Sequence, residues 1–253
     1  MDLAELAFLA AAAFAAGAVN AVAGGGSLIS FPALIAAGYP AKTANVTNTV
    51  ALWPGYLSGT IAYRRELVGQ RKRATALLLP SLSGALGGSA LLLATPEETF
   101  SAVVPYLILF ACALMAFQRP LSDFTVRHRL GVQHADHMPA TLYGGVFLMS
   151  IYGAYFGAGL GIMLLAVLAV LLPDDLHRCN AMKGLLSFMI NAMAVAYFAA
   201  FGPVEWAPAL VMAVGAIGGG YLGVGVVRHV PPAGLRAGVV AYGVFVAVFL
   251  LVN

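Results

Sequence analysis

Asn180, Lys183, Ser187 and Asn191 are spaced three, four and four apart in an apolar stretch from Cys179 to Ala200. On a helix that spacing sets two amides, an ammonium and a hydroxyl on one face. In an earlier stretch, about Thr43–Tyr63, Asn45, Asn48 and Tyr56 occupy corresponding places. Leu52 stands where Ser187 would be, and the hydroxyls of Thr47 and Thr49 lie nearby. Unpaired donors and acceptors are costly in hydrocarbon, so both faces are expected to line the protein interior. The plainer reading of any one amide or hydroxyl is interhelical hydrogen bonding.

Lys183 is the sharper signal, as the only ionisable residue well inside an apolar stretch. Such an ammonium either reaches back to the interface along its own stem or attracts an anion. All ten acidic residues lie at the ends of apolar stretches or between them. Proton pumps and sodium symporters usually carry carboxylates at depth, so a carboxylate-lined cation pathway is not expected. Recognition of a small anion by hydrogen bonds and one positive charge is. An intramembrane hydrolase would need a base beside its nucleophile. The histidines, His128, His134, His137, His177 and His229, all fall in connecting segments, so the chain is not expected to be an enzyme. Cys112 and Cys179 are isolated, which suggests neither a disulfide framework nor a metal site. No cofactor is expected.

The elements that must position these residues begin with two glycine breaks. The first, Ala23-Gly24-Gly25-Gly26-Ser27, sits in a run from about Leu3 to Gly38 and is flanked by Asn20 and Ser27. A straight helix of that length would measure roughly 50 Å, against a hydrocarbon core of about 30 Å. The run is therefore expected to be a broken or hairpin segment. Irregular backbone at membrane depth is tolerated where it is packed in protein or lines a cavity. The second break, Gly157-Ala158-Gly159-Leu160-Gly161, interrupts a run from about Met138 to Leu172. Broken-helix amino-termini expose N–H groups and the positive ends of helix dipoles, which suit an anion.

With 61% hydrophobic and 9% charged residues, the chain reads as an all-α polytopic membrane protein. Its acidic start, Met1-Asp2-Leu3-Ala4-Glu5, lacks the positive region of a secretory signal. Further stretches of spanning length run at about Ala74–Ala94, Thr99–Phe117, Ala207–Val227 and Ala233–Val252. The order of one long broken run and three spans occurs twice. Gly84-Ala85-Leu86-Gly87-Gly88-Ser89 reappears as Gly215-Ala216-Ile217-Gly218-Gly219-Gly220, and Asn45 falls on Asn180. Two repeats, 1–117 and 138–253, joined by a cytoplasmic linker at 118–137, are the expected organisation.

The basic residues set the orientation. Arg64, Arg65, Arg71, Lys72 and Arg73 place their loop in the cytoplasm, as do Arg119, Arg127 and Arg129, and then Arg228 and Arg236. The loops at 95–98 and 201–206 have no basic residue and are expected outside. The loop at 173–178 is then inside, so the second long run begins and ends on one side and crosses an even number of times. The repeats are expected to be inverted, with a parallel arrangement as the alternative; Lys42, on the expected outer side, counts slightly against inversion. The basic residues read as topology signals, and no nucleic-acid partner is expected. Homodimerisation through a small-residue face such as Gly84–Gly88 is an expectation.

The segments Gly17-Ala18-Val19-Asn20-Ala21-Val22-Ala23-Gly24-Gly25-Gly26-Ser27, Phe31-Pro32-Ala33-Leu34, Gly38-Tyr39-Pro40 and Ala44-Asn45-Val46-Thr47-Asn48-Thr49 resemble the first repeat of the sulfite exporter TauE/SafE family. Gly153 through Gly161 and Asn180-Ala181-Met182-Lys183-Gly184 resemble its second half. The resemblance covers nearly the whole chain. It implies a multi-pass permease of the bacterial inner membrane for small sulfur-containing or organic anions, such as sulfite, sulfonates or sulfoacetate. Asn20, Gly24, Gly25, Gly26, Ser27, Asn45, Asn48, Thr49, Tyr56, Gly157, Gly159, Gly161, Asn180, Lys183, Ser187 and Asn191 are the candidate substrate-binding residues. Export agrees with a membrane potential that drives anions outward at about 2.3 kcal/mol per charge per 100 mV. An anion channel with the same lining, and an uptake permease for a small organic anion, are the alternatives.

Overall fold

The computed structural model describes residues 2–22, 25–62, 65–118, 138–172, 174, 176–227 and 232–252. Gly24, all but the first residue of the 118–137 linker, and Arg64, Arg228 and His229 lie outside the described residues. Ten α-helices and no strand are found among the described residues. They are α1 (Leu3–Val22), α2 (Ser27–Ala36), α3 (Ala41–Ala62), α4 (Arg71–Ala94) and α5 (Glu97–Ala116), then α6 (Ala140–Tyr155), α7 (Leu160–Leu171), α8 (Leu176–Phe201), α9 (Trp206–Val227) and α10 (Pro232–Val252). Both long runs are broken where the glycines predicted.

The first run folds back on itself. A Cβ at Gly26 would stand 2.2 Å from the Ala16 carbonyl oxygen and 3.2 Å from the Asn20 Cβ, so α2 starts alongside the last turns of α1. Twelve residues after Gly26, Gly38 takes a left-handed conformation (φ 92). The Tyr39 N–H donates to the Leu34 carbonyl and the Gly38 N–H to that of Ile35, a closure of the last turn that favours glycine. The Tyr39 hydroxyl then donates to Glu5 Oε1 at 2.9 Å, returning the hairpin to the face where α1 began. Burial and the Glu5 carboxylate push the Tyr39 phenol up to about 12, so this donor keeps its proton through the neutral range.

Side-chain bonds sort the connections onto two faces of the bundle. On one, the Lys42 N–H donates to Glu97 Oε1 and its ammonium to the Leu93 carbonyl. The Glu205 N–H donates to Thr47 Oγ1 on the same face. On the other, Arg73 and Arg178 both pair with Asp174. There Gln70 Nε2 donates to the carbonyls of Glu66 and Arg178. The start of α4, with Arg71, Lys72 and Arg73, thus shares a face with Asp174 and the start of α8, and the 95–96 and 202–205 turns share the opposite one.

Glycine packing gives the helix directions. Cβ atoms at Gly84 and Gly88 of α4 would sit 2.5 and 2.2 Å from the carbonyl oxygens of Phe147 and Ile151 on α6. At Gly215 and Gly219 of α9 they would sit 2.5 and 1.9 Å from those of Ala10 and Phe14 on α1. Each pair steps by four residues in the same sense, so α6 runs parallel to α4 and α1 parallel to α9. Small residues allow this approach of backbones, and the Gly84–Gly88 face is thereby used inside the chain. Because α4 and α9 start on opposite faces, the two hairpins enter the bundle from opposite faces.

The pairings exchange accordingly: α1 packs on α9 and α6 on α4, α3 on α9 and α8 on α4, while α5 meets α10 and α3 meets α8. Among the described residues, five helices are long and apolar enough to cross a membrane: Leu3–Asn20, Arg71–Ala94, Glu97–Ala116, His177–Phe201 and Ala233–Val252. At 22 residues α3 is long enough, but it is too polar to be among them. Its Asn45, Thr47 and Asn48 are buried, and it packs on α1, α2, α5, α8 and α9. Its polarity is met by protein.

Candidate functional site

At the first break, Gly25 is left-handed (φ 85) and the Gly26 N–H donates to Asn20 Oδ1 across the gap at 3.4 Å. Asn20 also hydrogen-bonds the Tyr56 side chain from α3. One turn into α2 the Ser30 hydroxyl donates to Asn48 Oδ1 at 2.6 Å. Asn20, Gly26, Asn48 and Tyr56 are therefore brought together, and Ser30 joins them. Ser27 begins α2 half-buried, whereas Thr49 turns its hydroxyl to the Asn45 carbonyl of its own helix.

At the second break, Gly157 (φ 79) and Gly159 (φ 80) are both left-handed, and Gly159 caps α7. The Tyr152 hydroxyl donates to the Ala158 carbonyl at 2.6 Å, holding the turn. Asn45 of α3 donates from Nδ2 to the Tyr155 carbonyl at 2.9 Å, satisfying an end of α6 from 110 residues away. Phe31 of α2 meets Phe156 edge to face at 5.5 Å. The two breaks also share a support. A Cβ at Gly25 would stand 3.1 Å from Met115 Sδ, and one at Gly159 would stand 3.2 Å from Leu114 Cδ1 and 3.8 Å from the Ala111 Cα. Residues 111–115 of α5 thus back both breaks.

The α8 stripe lies against α7 and α3. Ser187 and Asn191 are buried, with Asn191 Nδ2 donating to the Ser187 carbonyl at 2.8 Å; Asn180 and Lys183 are half-buried. The Lys183 stem passes Gly161, where an added Cβ would lie 3.8 Å from Cδ. In the first turn of α7 the N–H groups of Leu160, Ile162 and Met163 are bonded back to Gly157 and Gly159. That of Gly161 has no partner among the described residues. Nor has the Lys183 ammonium a carboxylate there: the ion pairs among the described residues are those of Asp174 with Arg73 and Arg178. An unpaired ammonium beside the amino-terminal turn of a helix joins a full positive charge to a dipole end, an arrangement suited to an anion. Around Gly184, next in sequence, nothing approaches within 4 Å of an added Cβ, so the helix is not packed shut there.

Among the described residues no group of three or more His, Cys, Asp or Glu side chains could hold a metal ion. Sequence spacing missed Ser30 and Tyr152. Ser30 carried one signal, as a hydroxyl three residues past Ser27 in an otherwise apolar helix.

The sequence profile described as sulfite exporter TauE/SafE matches residues 9–250. A probable membrane transporter protein of a Sinorhizobium species is 30% identical over 222 residues, 86% of this chain and 81% of that one. A probable membrane transporter protein of Haemophilus influenzae is 29% identical over 218 residues, covering 86% and 83%. One from Escherichia coli is 26% identical over 211 residues, covering 83% and 76%. No solved structure matches the chain. A profile match over nearly the whole chain, on a bundle of apolar helices with two glycine-broken hairpins, makes this protein a multi-pass membrane transporter that belongs to the sulfite exporter TauE/SafE family.

Proposed function

We propose that the chain is a secondary transporter that moves a small, sulfur-containing oxyanion such as sulfite or a sulfonate out across the inner membrane. The observation that carries this reading is Lys183, set inside the helical bundle beside the α7 amino-terminus with no carboxylate among the described residues to neutralise it. The unpaired Gly161 N–H supplies a directed donor next to that charge. The offset that lays Asn45 on Asn180 also lays Asn48, which accepts from Ser30, on Lys183. We read 1–117 and 138–253 as inverted repeats joined at 118–137. Substrate access then alternates as one hairpin and then the other opens the site to its own face. Export needs no coupling ion, since the membrane potential acts on the anion directly.

The test is the thermal midpoint of purified protein with sulfite, sulfoacetate, taurine, acetate and chloride, beside Lys183→Ala. Ligand that binds the folded state raises the midpoint by mass action. Stabilisation by sulfur oxyanions or sulfonates that disappears in Lys183→Ala is the expected outcome. Shifts of equal size in both proteins would sink this account of the site.

A further inference from the structure

The chain has two tryptophans, and they sit in different surroundings. Trp206 opens α9 and is about half exposed, at 51%, the interfacial place where tryptophan is enriched in membrane proteins. Trp53 lies twelve residues into α3, roughly 18 Å from its start at 1.5 Å per residue, and so near mid-depth. Its indole Nε1 is buried and has no hydrogen-bond partner among the described residues. An unpaired donor in a medium without water is costly. The ring stacks on Phe188 of α8, with centroids 5.5 Å apart and planes 14° from parallel. The offset that lays Asn45 on Asn180 also lays Trp53 on Phe188, so the stacked rings are counterparts from the two halves. Phenylalanine fills the second place, and stacking there needs no N–H. The indole N–H of Trp53 is thus an addition to the packing. It lies on the helix that carries Asn45, Asn48 and Tyr56, against the residue next to Ser187, and one turn along α8 from the unfilled space at Gly184.

We infer that Trp53 is a further substrate-binding residue: its indole N–H donates to an oxygen of the transported anion at mid-depth, where the two halves meet. This rests on the anion-transport reading above, and it accounts for a buried donor that the protein leaves unpaired. In the bound state the oxyanion completes the bond, and the Trp53–Phe188 stack holds the donor in place.

The decisive variant is Trp53→Phe, which keeps a ring against Phe188 and removes the donor together with part of the indole bicycle. Midpoints are measured with and without sulfite and sulfoacetate, in wild type, Trp53→Phe and Lys183→Ala. Loss of the unpaired donor offsets part of the packing lost with the larger ring, so the ligand-free midpoint falls modestly. The apparent affinity for whichever anion stabilises the wild type falls about ten- to a hundred-fold, the effect of one hydrogen bond to a charged acceptor. Unchanged affinity in Trp53→Phe, with Lys183→Ala still impaired, would overturn the role of Trp53 and leave the anion site standing. Wild-type protein that responds to neither anion would sink the anion site, and Trp53 with it.

Discussion

At the residue scale the site divides into groups already paired and groups left open. Ser30 and Asn48 satisfy one another in a buried place. Ser30→Ala leaves the Asn48 oxygen without its donor, and a loss of about 1–3 kcal/mol in stability is expected, read as a lowered midpoint or urea tolerance in detergent. Lys183 is open, so Lys183→Ala is expected to remove anion response while costing little stability. The stripes holding Asn48 and Lys183 were legible in the sequence because helical spacing of three and four needs no tertiary knowledge. What each residue does was not. Asn45 belongs to the first stripe by spacing, yet its amide serves the Tyr155 carbonyl at the second break. Asn191 bonds its own helix, through the Ser187 carbonyl. Neither partner is readable before the bundle is assembled, since a side chain's periodicity fixes its face and not its neighbour.

Elements are held by backbone approach more than by polar contacts. Gly88→Ala would drive a methyl into the Ile151 carbonyl and Gly219→Ala one into that of Phe14. Each is expected to cost about 1–3 kcal/mol by overpacking, or more where the helices cannot part. Gly87→Ala is the control, because nothing lies within 4 Å of its added Cβ. In a helix interior it should be neutral or stabilising by up to about 1 kcal/mol. Thermal midpoints of the three variants check the contrast. The helix bounds were nearly all legible, since charge clusters, prolines and glycines punctuate the apolar runs. The choice of partners was not: GxxxG spacing in α4 gave a sticky face, and only the fold shows α6 lying on it.

For the whole molecule, the opposed hairpins predict sidedness. In a variant without Cys112 and Cys179, single cysteines at Pro40 and Glu98 are expected to react with a membrane-impermeant maleimide from one side. Those at Lys72 and His177 are expected to react from the other. Pro40 and Lys72 labelling from the same side would rule out opposed entry. Reconstituted protein is further expected to show saturable flux and counterflow of the transported anion, which a channel would not. That both long runs are broken was visible from their glycines. The exchange of partners between halves was not, as it depends on contacts between residues more than a hundred positions apart.

Residues 111–115 of α5 touch both breaks, Met115 at Gly25 and Ala111 with Leu114 at Gly159. If access alternates as proposed, a single turn of helix wedged between the two breaks would act as a seesaw. Whichever hairpin swung outward would give the wedge room to lean, and the lean would press the opposite one closed. In a machine that must never leak, the rule that both doors cannot stand open together would then be written into the few side chains of that shared turn.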